Sequence, residues 1–330
     1  MKKKKKLLSI VVSAYNEEAA IPEFYSAVCR ELEDMNSQLP EGTAIDHELI
    51  FVNDGSTDKT RDVIAKLAEE DDDVKLISYS RNFGHEAAMI GGIDHASGDY
   101  IICMDADLQH PVECIPKMLK LFREGTDVIS MVRTSNKDAG LVKNLTSPLF
   151  YKLINALSDD KMEENASDFF GISARVARVL RENFRENVRF VRGYIQNMGF
   201  KRCVMEYAAA DRVAGESKYS IKKLMRFSMN TIMCFSDVPL KAGIPAGIIT
   251  GILAFICFIV TLVFWIRDGA LNAFAALAFL MLLLGAFMFL ILGVLGAYLG
   301  VLMKEVRNRP TYIVERTTDN VRSRSRGIKQ

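Results

Sequence analysis

Six cysteines among 330 residues, at positions 29, 103, 114, 203, 234 and 257, form no C-x-x-C pair and no spacing that suits a metal cage. A disulfide scaffold and a zinc module are thereby excluded, which leaves buried, reduced thiols in a cytosolic setting. Glycine and proline are scarce, at 21 and 8 residues, so collagen-like repeats and wholesale disorder are excluded as well. No G-x-G-x-x-G follows the first apolar run and no G-x-x-x-x-G-K-[ST] occurs, which removes dinucleotide oxidoreductases and P-loop NTPases. The chain also lacks an excess of one charge, with 42 basic residues against 41 acidic ones. That balance conceals a segregation. Residues 7–221 carry 24 Lys/Arg and 36 Asp/Glu, whereas Lys2–Lys6 and the segments 222–241 and 304–330 are basic. The basic segments flank the most apolar part of the chain, an arrangement that does not suit nucleic-acid binding.

What the sequence has in plenty is long uncharged stretches. Ala242–Ile266 and Gly269–Met303 contain no charged residue, and about 20 apolar helical residues cross a bilayer core. Only Arg267 and Asp268 separate them, so a tight helical hairpin is expected, with spans at 242–266 and 273–303. The positive-inside rule places residues 1–241 and the C-terminal tail, 304–330, together in the cytoplasm. Residues 220–241 alternate basic and apolar side chains at helical spacing and read as juxtamembrane amphipathic helix, lying in the headgroup region or packed on the soluble domain. The opening MKKKKKLLSIVVSAYNEE has an apolar run too short for a secretory signal and reads as a first strand.

Residues 1–219 form the soluble domain in this reading. Apolar runs at 7–14, 48–53, 74–79, 100–104 and 127–132 alternate with helical patterns at 17–35, 57–70, 85–96 and 111–124, the last opened by Pro111. This predicts an α/β fold with a mostly parallel sheet covered on both faces. Ligands of such sheets bind at the carboxyl ends of the strands. The residues there are acidic: Asp54 ends the second run, and Asp105 and Asp107 end the fourth. Residues i and i+2 of extended backbone project to one side, so both aspartates could reach one hard cation, although solvated loop acids give the same pattern.

SAYNEE (13–18), VNDGSTDKT (52–60), SRNFGHEAA (80–88) and MDADLQHP (104–111) occur in one series with SDFFGISARV (167–176), VRGYIQNMGF (191–200), RVAGESKY (212–219) and RNRPTYIVE (307–315). Together they resemble family 2 glycosyltransferases of the Rossmann-like GT-A fold, and more narrowly the polyprenyl-phosphate glycosyltransferases. The resemblance implies a nucleotide-sugar donor, UDP-glucose by preference, with mannose, GlcNAc, GalNAc and galactose open. It implies a polyprenyl-phosphate acceptor in the inner membrane and Mg²⁺ or Mn²⁺ as cofactor. Ala14, Tyr15, Glu17, Asp54, Asp105 and Ala106 would bind the nucleotide sugar, and Asn82, Gly84 and His85 would shape its pocket. Asp105, Asp107 and Gln109 would hold the metal, and Asp107 and Asp168 would serve catalysis. Arg133, Arg212, Ser217 and Lys218 would bind the acceptor phosphate, since guanidinium forks match phosphate oxygens. For Asp168 a capping role, on a helix starting near Ile172, is the alternative. A processive polysaccharide synthase is disfavoured because the single tryptophan, Trp265, is not part of a Q-x-x-R-W motif. An inactive scaffold is disfavoured by the intact set of charged residues. Gly296 and Gly300 form G-x-x-x-G, which suits either a homo-oligomer contact or packing within the hairpin.

Overall fold

The computed structural model describes residues 5–39, 44–134, 166–186, 190–208, 243–268, 270–307 and 309–318. Arg212, Ser217, Lys218 and the stretch 220–241 lie outside them.

The five apolar runs form strands β1 (Leu7–Ala14), β2 (Asp46–Asn53), β3 (Val74–Tyr79), β4 (Tyr100–Asp105) and β5 (Val128–Arg133). Helices α1 (Ile21–Ser37), α2 (Thr60–Glu70), α3 (His85–His95) and α4 (Ile115–Arg123) alternate with them. Three more elements follow, β6 (Ala166–Ser173), α5 (Ala174–Asn183) and α6 (Val191–Asn197), and then β7 (Arg202–Tyr207). A short β8 (Val314–Thr317) comes last. The eight strands make one sheet, in the order β7-β5-β6-β4-β1-β2-β3-β8. Pairing is parallel except where β6 meets β4 and β5 and where β8 meets β3. The sheet is therefore mixed but mostly parallel, as expected.

Alternation along β1 divides the two faces. Leu8, Ile10, Val12 and Ala14 point into a core shared with Phe24, Val28 and Leu32 of α1, Ile64 of α2 and Met118 of α4. On the other face α3 approaches closely: a Cβ at Gly92 would lie 2.2 Å from Val11 Cγ1. Both faces are covered, which is why the strand sequences read as continuous apolar runs.

Three boundaries differ from the sequence reading. Residues 17–20 and 57–59 do not enter their helices, and the Glu17, Glu18, Thr57 and Lys59 amides instead brace the facing loop. Pro111 precedes a 3₁₀ turn (Val112–Cys114), and α4 begins after it with Pro116 in the first turn. Part of the basic tail is a strand: β8 pairs antiparallel with β3 and closes an edge that would otherwise expose unpaired backbone groups. Tyr312, just before β8, stacks on Tyr79 with ring centroids 4.9 Å apart and donates its hydroxyl to Asp94 Oδ2 (2.7 Å). Tyr312→Ala is expected to cost about 2–3 kcal/mol by loss of this packing and bond, readable as a lowered Tm of the full-length protein.

The second compact unit contains helices α7 (Gly243–Asp268) and α8 (Ala270–Val306). They pack on each other, yet Phe255, Ile266, Phe289 and Leu290 remain 64%, 75%, 73% and 64% exposed. Apolar surface on that scale marks contact with lipid or another protein. Among the described residues, a Cβ at Gly285, Gly293, Gly296 or Gly300 would meet no atom within 4 Å.

Candidate active site

Because β1 to β4 run in one direction, their carboxyl ends share an edge of the sheet. The antiparallel β6 brings its start to that edge. Its register with β4 runs from Tyr100 opposite Ser173 to Cys103 opposite Phe170, so Asp168, two residues before Phe170, falls at the end of the sheet where β4 delivers Asp105. Asp168 thus lies in a strand. It is not a helix cap, since α5 begins six residues later and Ser173 precedes it in extended backbone.

The loops at this edge are tied to each other. Asn16, at φ 56°, donates its N–H to Ser56 Oγ (3.0 Å), while its Oδ1 accepts the Thr57 N–H (2.9 Å). Glu17 N–H donates to Thr60 Oγ1 (2.8 Å). Tyr15 is 38% exposed beside them, whereas Ala14 and Ala106 are buried, so these two offer backbone rather than side chain. Asp54 is buried, and its carboxylate accepts the N–H groups of Phe83 (2.7 Å) and Gly84 (2.9 Å) in the third loop. Burial raises its pKa, partly offset by those two N–H groups. Gly55 sits between the same loops at φ +63°, where a Cβ would lie 2.3 Å from the Arg81 carbonyl carbon. Gly55→Ala is expected to cost more than the ~1–2 kcal/mol of left-handed strain, since backbone must also move. A reduced Tm would show it.

The fourth loop carries the acidic pair. Asp107 Oδ1 accepts the Gln109 N–H (3.1 Å), which closes a turn through Leu108 at φ 60°, a conformation unusual for a non-glycine residue. Gln109 is buried, and its Oε1 accepts Arg133 Nη2–H (3.1 Å). That oxygen is turned to Arg133, which leaves Asp105 and Asp107 as the carboxylates at the cleft that could hold a cation. Two hard carboxylates at a half-exposed strand end fit Mg²⁺ or Mn²⁺ when a diphosphate and water supply the other ligands. No group of three His, Cys, Asp or Glu among the described residues makes a closed cage.

Two histidines organise Asp105. His110 is 3% exposed and stacked on Phe169 (5.0 Å), and its Nδ1 accepts the Asp105 N–H (2.9 Å). Burial lowers its pKa, so the ring is neutral, and its Nε2 faces Ser167 Oγ at 3.2 Å. His85, at the start of α3, bridges the acids. Its Nδ1 lies 2.9 Å from Ser13 Oγ, which donates to Asp105 Oδ1 (3.1 Å), and its Nε2 lies 3.4 Å from Asp168 Oδ2. Burial by itself would lower the His85 pKa, but Asp105 and then Asp168 outweigh it and push it up to about 10. Asp168 also pairs with Arg192 Nε at 2.9 Å. Burial alone would raise the Asp168 carboxyl; Arg192 and then His85 hold it well below the usual carboxylate range.

Asp105, Asp107, Gln109, Arg133 and Asp168 are thus brought together at one sheet edge, with the Ala14–Glu17 loop and Asp54 on the neighbouring strands. Sequence reasoning missed Ser13, His110 and Arg192. A lone serine, histidine or arginine has no spacing signal; each acts through contacts that the sheet register creates.

The family model for glycosyl transferase family 2 matches residues 9–181. A prophage bactoprenol glucosyl transferase homolog of Escherichia coli is 36% identical over 94% of this chain and 98% of its own. A prophage-derived bactoprenol glucosyl transferase of Shigella flexneri is 37% identical over the same shares. An uncharacterised glycosyltransferase of Bacillus subtilis is 37% identical over 94% of this chain and 93% of its own. Among solved structures, glucosyl-3-phosphoglycerate synthase of Mycobacterium tuberculosis, with Mn²⁺ and UDP-glucose, aligns at a TM-score of 0.43 with 20% identity over 69% of this chain and 78% of that one. With the family model covering more than half of the chain and these relatives aligned almost end to end, the chain belongs to glycosyl transferase family 2 and is a glycosyltransferase.

Proposed function

We propose that the protein transfers glucose from UDP-glucose to a polyprenyl phosphate, undecaprenyl phosphate in the first instance, at the cytoplasmic face of the membrane. The observation that carries the chemistry is the meeting of Asp105 and Asp107 with Asp168 at one edge of the sheet. Relatives named bactoprenol glucosyl transferases, aligned over 94% of the chain, support the choice of sugar and lipid.

In this reading Tyr15, Glu17 and Asp54 line the nucleotide side, with Ala14 and Ala106 contributing backbone. Asp105 and Asp107 would hold a divalent ion, which would offset charge developing on the departing UDP. A phosphate oxygen of the lipid attacks the anomeric carbon as the bond to UDP breaks with its electron pair, so the α-linked donor gives a β-linked product. A phosphate monoester is largely ionised near neutral pH, and no strong base is needed to activate it. Arg133 is assigned to the acceptor phosphate with Arg212, Ser217 and Lys218. Asp168 serves as a fixed negative charge beside the reacting carbon.

Two helices of membrane-crossing length support a two-pass anchor. An even number of crossings is supported by β8, which follows both helices yet pairs with β3, which precedes them. The G-x-x-x-G spacing of Gly296 and Gly300 on α8 is compatible with association between copies. UDP release by detergent-solubilised, full-length protein tests the reaction. Release is expected to require both undecaprenyl phosphate and Mg²⁺ or Mn²⁺ and to stop with EDTA. Release independent of the lipid phosphate would count against the acceptor assignment.

A further inference from the structure

We infer that Arg192 is a positioning residue for transfer, clamping the Asp168 carboxylate against His85 so that it stays fixed beside the acidic pair. The inference rests on the role assigned to Asp168 above, and Arg192 acts through that carboxylate.

The geometry is built from three elements. Arg192 is the second residue of α6, and the start of that helix is pinned: the Val191 N–H donates to Glu86 Oε2 (2.9 Å) in the first turn of α3. Val191 and Phe190 are buried, and the Arg192 guanidinium lies 5.1 Å from the Phe190 ring centroid. From there Arg192 Nε reaches Asp168 Oδ1 at 2.9 Å, while His85 Nε2 stands 3.4 Å from Asp168 Oδ2. The Arg192 guanidinium therefore faces one carboxylate oxygen and the His85 ring the other. The three side chains are 18%, 27% and 31% exposed for Arg192, Asp168 and His85, but Arg192 Nε, Asp168 Oδ1 and His85 Nε2 themselves are shut from solvent. Charges placed this way hold a carboxylate in one orientation, because rotation would strand a buried cation. His85 is linked through Ser13 to Asp105, so the same clamp relates Asp168 to the acidic pair across the sheet edge.

A group that only positions Asp168 has a specific signature. Arg192→Met is expected to lower kcat by about 100-fold, with KM for UDP-glucose changed by less than about twofold. Arg192→Lys, which keeps the charge, is expected to recover at least about tenfold of that loss. Calorimetric affinity for UDP with Mn²⁺ is expected to match the unaltered protein in both variants. A thermal double-mutant cycle gives a readout independent of turnover. Arg192→Met should lower Tm, and the loss should shrink by more than about half in an Asp168→Asn background. A parallel loss of UDP affinity would show that Arg192 contacts the donor and overturn the inference. Additive Tm losses, or full activity in Arg192→Met, would overturn it too. If the unaltered protein transfers no glucose while the Tm cycle shows coupling, the donor and acceptor assignment fails and the clamp stands.

Discussion

Asp105→Asn is expected to reduce kcat by about 10³-fold or more, since a metal-held diphosphate leaving group is worth several kcal/mol of transition-state charge stabilisation. The substitution is nearly isosteric. Ser13 can still donate to the remaining oxygen, and the Asp105 N–H still meets His110, so the loop is expected to keep its shape. What disappears is one of two hard anionic donors at the end of β4. Titration with Mn²⁺ in the presence of UDP should show affinity weakened in proportion, while Tm without metal changes little. A variant with normal turnover and normal Mn²⁺ dependence would remove Asp105 from the cation site.

Asp168→Asn is expected to lower kcat by about 10²-fold, within the range for loss of a single electrostatic group at a reacting centre. KM for UDP-glucose should be nearly unchanged, because Asp168 lies on β6, apart from the loops after β1 and β2 that are proposed to hold the nucleotide. The pH dependence separates a fixed charge from a proton acceptor. With Arg192 and His85 holding it below the usual carboxylate range, Asp168 is ionised at every pH above its unfolded value of about 4. Its contribution to stability is present above that value and is lost as pH falls through the lower, folded pKa. Turnover is therefore expected to show no acid limb from Asp168 between about pH 5 and 8. A limb in that range that vanishes in Asp168→Asn would identify a general base instead.

Strands β1 to β5 were legible because both faces of the sheet are covered. LLSIVVSA and YIICMD are apolar almost throughout, and helix patterns separate them. β6, β7 and β8 were not legible for different physical reasons. ASDFFGIS is interrupted by polar residues because its start forms part of the cleft. RCVMEY alternates exposed and half-buried positions, as an edge strand does. β8 is four residues long and pairs with a strand more than 230 residues away, a contact that no local pattern encodes. The acidic pair was visible from its spacing, and Asp168 from the family resemblance. The supporting contacts of Ser13, His85, His110 and Arg192 depend on register and helix placement, and became visible only with the sheet assembled.

Glucosylation of a lipid phosphate is the reaction on which these assignments depend. Full-length protein in detergent, given undecaprenyl phosphate, Mg²⁺ and a panel of UDP- and GDP-sugars, tests it by the mass of the lipid product. The expected result is a single hexose on the lipid phosphate from UDP-glucose, absent with EDTA. A product formed from a different donor in preference would contradict the sugar assignment, and no lipid product from any donor would contradict the reaction itself.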